Sequence, residues 1–185
     1  MSEADVIQHT QHWIASVVIG LNLCPFAQRV FQSGQIRFHV SATDDQEQLL
    51  QELTIELRAL AQGTNPGIET TLLIHPYVLI NFLDYVDFLA IADQQLRRLN
   101  LQGVIQLASF HPQYQFEDAE TDAVENFTNR SPYPMLHLLR EDSITKVATN
   151  PEQLLEIPRR NKATMKALGR EKVEQLMRVA RVNKN

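Results

Sequence analysis

Two segments, Leu72-Leu73-Ile74-His75-Pro76 and Ala108-Ser109-Phe110-His111-Pro112, end in the same His-Pro dipeptide, and a third, Ile36-Arg37-Phe38-His39, also closes near a histidine. Proline has no N–H for a ladder and pushes the residue before it towards extended backbone. Each His-Pro is therefore expected to be the last strand residue before the chain leaves the sheet. If these strands run parallel, His75 and His111 gather at the carboxyl edge, where open α/β sheets bind ligands. Imidazole changes charge near neutral pH without perturbation, so the pair could transfer protons, hold an anion or ligate a divalent metal such as zinc. The competing reading is that each histidine caps its strand by hydrogen-bonding the backbone. There is no His-x-x-x-His and no Cys-x-x-Cys, so a metal site would have to be assembled from distant residues.

Cys24 stands where the first helix should end, with Asn22 before it and Arg29 one turn beyond. A histidine or arginine that lowered its pKa would make it a nucleophile, or it could join His75 and His111 around a metal; a free cysteine is also among the most buried and inert residue types. The densest polar cluster runs from Glu125 to Arg140 and contains Asn126, Asn129, Arg130, Ser131, Tyr133, His137 and Arg140. Pro132 and Pro134 stiffen it, so Arg130, Ser131 and Tyr133 would lose little freedom on binding. Arginine matches carboxylate and phosphate with a planar fork of donors, which makes the cluster a candidate anion clamp. Asp84 and Asp87 are read as a solvated helix face.

The elements that must position these groups follow from periodicity. Val6, Trp13, Ile14, Val17, Val18 and Leu21 recur at helical spacing and predict an amphipathic helix ending near Gly20. Gln35 to Val40 is a predicted strand. Thr43 and Gln46 form a capping-box pair ahead of Leu49, Leu50, Leu53, Leu57 and Leu60, with Gly63 as the stop. Glu69 to His75 is β-branched and apolar, a buried strand. Leu79 to about Leu99 is helical, and Gly103 opens a strand ending at His111. Met135 to Leu139 fits a fourth strand or a helical turn. Asn150, Pro151 and Gln153 suggest a further helix start, and Pro158 another helix running to Gly169. Helix and strand thus alternate, which predicts an α/β fold: a single domain over 1–185 with a mainly parallel sheet flanked by helices. The alternative is α+β with a mixed sheet.

At 185 residues and 44% hydrophobic, the chain has the composition of one globular core. Its longest apolar stretch, Trp13 to Ala27, is broken by Ser16, Asn22 and Pro25 and is too short to span a bilayer. Glu3 and Asp5 precede it where a secretory signal wants positive charge. With Cys24 as the single cysteine there is no internal disulfide, and a cytoplasmic location is expected. The net charge of -5 is uneven: nine of 17 basic residues but two of 22 acidic ones lie from Arg159 onward, leaving a body near −12 and a tail near +7. The acidic body argues against a nucleic-acid partner. The basic helical segment 159–185 is expected to lie against the acidic body.

The strings Gly20-Leu21-Asn22-Leu23-Cys24-Pro25-Phe26-Ala27, Thr70 to Pro76, Ala108 to Phe116 and Glu125 to Arg140 make most of the chain resemble a bacterial family of proteins known by a domain-of-unknown-function label. The resemblance implies that the segments singled out on physical grounds are that family's signature, with Arg160-Asn161 a weaker part of it. The expectation is a small-molecule enzyme acting on an anionic metabolite, with Cys24, His75 and His111 in catalysis or around a metal. Asn22, Arg29, Asn126, Asn129, Arg130, Ser131, Tyr133, His137 and Arg140 would bind the substrate. The alternative is a non-catalytic ligand-binding or regulatory module.

Overall fold

The computed structural model describes residues 1–143 and 151–179. Helix α1 (Glu3–Trp13) is started by Ser2, whose hydroxyl accepts from Asp5 N–H in a reciprocal capping box. It runs without a break into a π-helical segment, Ile14–Ile19, and the short α2 (Ala27–Gln32) follows the Cys24 loop. Strand β1 (Ile36–Val40) leads to α3 (Gln46–Gln62), β2 (Thr70–Ile74) to α4 (Phe82–Arg98), and β3 (Ile105–Phe110) to a polar loop and β4 (Met135–Arg140). Helices α5 (Pro151–Leu168) and α6 (Arg170–Val179) close the chain.

The sheet order is β1-β2-β4-β3. β1 and β2 are parallel, whereas β4 is antiparallel to both β2 and β3. The mainly parallel sheet is thus corrected to a mixed one. β1, β2 and β3 do point the same way, but β4 has been inserted between the two His-Pro strands. Its sequence, Met135-Leu136-His137-Leu138-Leu139, is apolar on both faces apart from His137, as suits a central strand. β1 carries Arg37 and His39 on one face, which suits an edge. Arg37 forks onto the buried Glu56 of α3 at 2.7 and 2.8 Å, and His39 Nε2 lies 2.9 Å from Glu52. The third strand histidine therefore belongs to an ion-pair network between the edge strand and α3.

Odd and even positions of the strands face different layers. Leu73, Leu136, Leu138 and Ile105 pack against Leu49, Leu53 and Leu57 of α3 and against Tyr85 and Phe88 of α4. Each fully buried leucine contributes roughly 1.5–3 kcal/mol. Leu72, Ile74 and Met135 face the other layer, where Val6, Trp13, Ile14, Met165 and Val173 form a second core.

Local signals differ from expectation in three places. The N-cap of α3 is Asp45, which accepts from Gln48 N–H at 2.8 Å; Thr43 supports it by accepting from Asp45 N–H. Asn81 caps α4 through Leu83 N–H at 2.8 Å, two residues inside the expected start at Leu79. Pro158 lies inside α5 instead of starting a helix, and the expected cap Asn150 lies outside the described residues. The basic face of α5 and α6 does meet the acidic loop: Lys162 pairs with Asp118, Lys166 with Glu125 and Arg170 with Asp122, at 3.3, 3.1 and 3.6 Å.

Candidate functional site

A cavity of about 330 Å³ lies between the sheet and the layer of α1, α2 and α5. Its floor is Thr70 and Leu72 of β2, Ala108 and Phe110 of β3, and His137 and Leu139 of β4. Its roof is Trp13, Ile14 and Val18, then Leu23, Cys24 and Phe26, with Ile157 and Pro158 of α5 at one side. The floor lies on the sheet's face and reaches towards the ends where β1 and β2 begin. At the carboxyl edge, where ligands are expected, His75 and His111 are fully buried.

The π-helical segment shapes the roof. It widens the turn after Trp13, so Gly20 N–H bonds to Ala15 O at 3.0 Å and Leu23 N–H to Val18 O at 2.8 Å, both five residues back. At Gly20 a Cβ would stand 2.3 Å from the Ser16 carbonyl oxygen, so the position tolerates glycine alone without a shift of backbone. Asn22 takes the left-handed conformation at φ 51 and turns the chain back over the sheet. From α5, Arg160 donates to Asn22 O and Asn161 to Leu23 O, each at 2.7 Å, strapping the cysteine loop down.

His137 is the polar centre of the floor. The Leu138 carbonyl can only accept, so the Thr70 hydroxyl donates its one proton there at 2.6 Å and must accept from His137 Nε2–H at 2.7 Å. The proton is thereby fixed on Nε2. Nδ1 is left with its lone pair and makes no hydrogen bond among the described residues, on a ring that lines the cavity. Desolvation lowers the His137 pKa to about 4, which keeps the ring neutral at pH 7. Cys24 lies partly exposed in the roof. Burial pushes its thiol pKa up, against the opposing pull of the Phe26 and Ala27 backbone N–H groups and the Arg160 charge.

The other expected site residues are elsewhere. His75 and His111 lie on the opposite face of the sheet, His75 stacked on Tyr85 of α4 at a ring distance of 5.8 Å and His111 tilted against it at 5.1 Å. His75 Nδ1 donates to Val78 O at 3.0 Å, and His111 Nε2 donates to Leu79 O at 3.1 Å while its Nδ1 accepts from Gln113 N–H. Both act as strand caps that hold the 76–81 turn. Burial lowers their pKa values, that of His75 to about 4. The sheet separates them from Cys24, so the single pocket expected for the three is not formed. Among the described residues no three His, Cys, Asp or Glu side chains are grouped as a zinc site would need.

The polar cluster before β4 holds its own loop together. Arg130 donates to Tyr114 O and Thr121 O at 3.2 and 2.7 Å and stacks over Phe127. Asn126 accepts from Phe116 N–H and donates to Glu120 O; Asn129 donates to Ser109 O; Ser131 donates to Tyr133 O. The Tyr133 hydroxyl meets His9 at 2.6 Å. Arg140 borders the cavity, but its guanidinium reaches past the strand to the α3 C-cap, within 3.7 Å of where a Gly63 Cβ would be. Arg130 and Arg140 therefore do not converge on one anion. Of the expected residues, Cys24, Arg29, His137 and Arg140 line the cavity, Arg29 at the exposed rim. Thr70, Trp13 and Phe110 were missed, although Trp13 is the chain's single tryptophan.

A family model described as protein of unknown function DUF1415 matches residues 5–175. The chain belongs to the DUF1415 family. That match takes in every wall of the cavity, so the floor and roof described above lie within the DUF1415 region. No curated protein and no solved structure matches the chain. Among the described residues, no helix of this DUF1415 protein is long and apolar enough to cross a membrane.

Proposed function

We propose that this protein binds a small, largely apolar molecule between its sheet and the α1–α2–α5 layer. The observation that carries the reading is the cavity itself. At about 330 Å³ it lies within the roughly 300–1,000 Å³ of ligand pockets, and its walls are aliphatic and aromatic with a few polar groups. Binding is favoured over catalysis. A histidine held near pKa 4 is a weak base at neutral pH, and a thiol pushed up by burial is a poor nucleophile. The anionic metabolite expected from the loop arginines lacks support, because Arg130 is spent on backbone carbonyls and Arg140 lies at the end of α3.

Trp13 reports occupancy directly, since no other tryptophan contributes to emission. Titration with cyclohexylmethanol is expected to shift Trp13 fluorescence saturably and raise the melting temperature. Ala108→Phe, which fills the floor from β3, is expected to abolish both responses in a folded protein. A wild-type protein unmoved in emission and in melting temperature would overturn the reading.

A further inference from the structure

We infer that the cavity prefers neutral molecules carrying a hydrogen-bond donor, such as an alcohol, a phenol or an amide N–H, because the imidazole on its floor offers an acceptor, the Nδ1 lone pair of His137. This rests on the binding reading above and names the class of ligand. Leu138 O fixes the Thr70 proton, Thr70 fixes the His137 tautomer, and Nδ1, on a ring that lines the cavity, is left as an acceptor that cannot turn into a donor without breaking both bonds. Phe110 packs beside the imidazole at 6.2 Å and Trp13 against Phe110 at 5.3 Å, which walls the acceptor with aromatic rings. A carboxylate brings only acceptors. At His137 it would need a protonated imidazole, which burial opposes, and the two arginines of the lining stand away from that ring, Arg29 at the exposed rim and Arg140 reaching to Gly63. An ether or ester likewise meets lone pair with lone pair. A site built around one fixed polar group rejects the analogue lacking its complement more strongly than one lacking a methylene.

The test uses two isomers of one size, cyclohexylmethanol and methoxycyclohexane, with cyclohexanecarboxylate as the anion, each titrated against Trp13 emission. The alcohol is expected to bind about tenfold more tightly than the ether, the span of one neutral hydrogen bond, and the carboxylate more weakly still at pH 7.5. Thr70→Val releases the imidazole to present either nitrogen and should shrink the alcohol-to-ether ratio towards one. In case that variant fails to fold, the ring ¹⁵N resonances of wild-type His137 should show a protonated Nε2 and an Nδ1 that moves on adding the alcohol but not the ether. Equal binding of the isomers, or tighter binding of the carboxylate, overturns the donor requirement while leaving the cavity as a binding site. If no compound binds, the binding reading fails and this inference fails with it.

Discussion

Thr70 and His137 are diagonal neighbours across the β2–β4 ladder: His137 stands opposite Leu72, yet its Nε2 reaches back two residues to the Thr70 hydroxyl at 2.7 Å. Diagonal pairs come within reach only of long or aromatic side chains, and here the reach sets a tautomer. The relationship needs β4 to run antiparallel beside β2. It could not exist in the parallel sheet that the sequence suggests.

Thr70 is 3% exposed, so its removal leaves a polar group stranded. Thr70→Val should destabilise the fold by about 1–3 kcal/mol, the cost of an imidazole N–H with no acceptor. Denaturant unfolding checks this, and Thr70→Ser, which keeps the hydroxyl, should recover most of the loss. Equal losses in the two variants would show that the methyl packing, and not the bond, is what matters.

Three histidines tie stability to pH. His75 and His137 are lowered to about 4 by burial, and His111 is lowered too. Unfolded histidines titrate near 6.5, so between about 6.5 and 4 the unfolded chain binds more protons and stability falls as pH falls. Above about 7 these groups contribute no slope. A shift from 6.5 to about 4 corresponds to about 3 kcal/mol per fully buried ring as an upper bound. Urea midpoints taken from pH 8 to pH 5 should be flat and then drop. His75→Phe, which cannot titrate, should flatten part of the drop, and a midpoint independent of pH down to 5 would contradict the assignment.

The buried Glu56 carboxylate depends on Arg37 of the edge strand. Removing one partner of such a pair leaves an uncompensated charge, so Arg37→Ala should cost about 3–5 kcal/mol in principle, and less here because Arg37 is about a third exposed and solvent screens the pair. Replacing both, Arg37→Met with Glu56→Leu, should be milder than Arg37→Ala alone. A double-mutant cycle with no coupling would show that solvent already carries the pair.

Much of the layer order was legible in the sequence because local chemistry wrote it there. Leu49, Leu53 and Leu57 at helical spacing and the Gly63 stop marked α3, and each His-Pro marked a strand end. The place of β4 was not, since pairing is decided by packing across the chain. The signal for it was present in contrast: β4 is apolar on both faces but for His137, while β1 carries a charged Arg37 beside His39 on one. The cavity was not legible for the same reason. Polar residues in loops attracted the functional reading, yet Arg130, Asn126 and Ser131 spend their bonds on the loop's own backbone. The cavity is made of Trp13, Leu72 and Phe110, residue types that sequence reasoning assigns to core. Whether an apolar side chain meets another or meets a void is a matter of volume, to which periodicity is blind.

Cys24 provides the sharpest chemical check on binding against catalysis. Its thiol receives backbone N–H groups from Phe26 and Ala27 and feels Arg160, all of which favour the thiolate, but desolvation outweighs them. Alkylation by iodoacetamide should therefore follow a midpoint above the roughly 8.5 of a free thiol, and be slow at pH 7 in the folded protein. Because Cys24 lines the same cavity as Trp13, saturating cyclohexylmethanol should slow the reaction further at fixed pH, with a half-effect concentration equal to that from Trp13 emission. His111→Ala should leave the alkylation midpoint unchanged, since the sheet lies between the two side chains. A midpoint well below 8.5 would reveal a stabilised thiolate and return Cys24 to the role of nucleophile. Ligand protection with the high midpoint would instead place the thiol in the wall of a binding site.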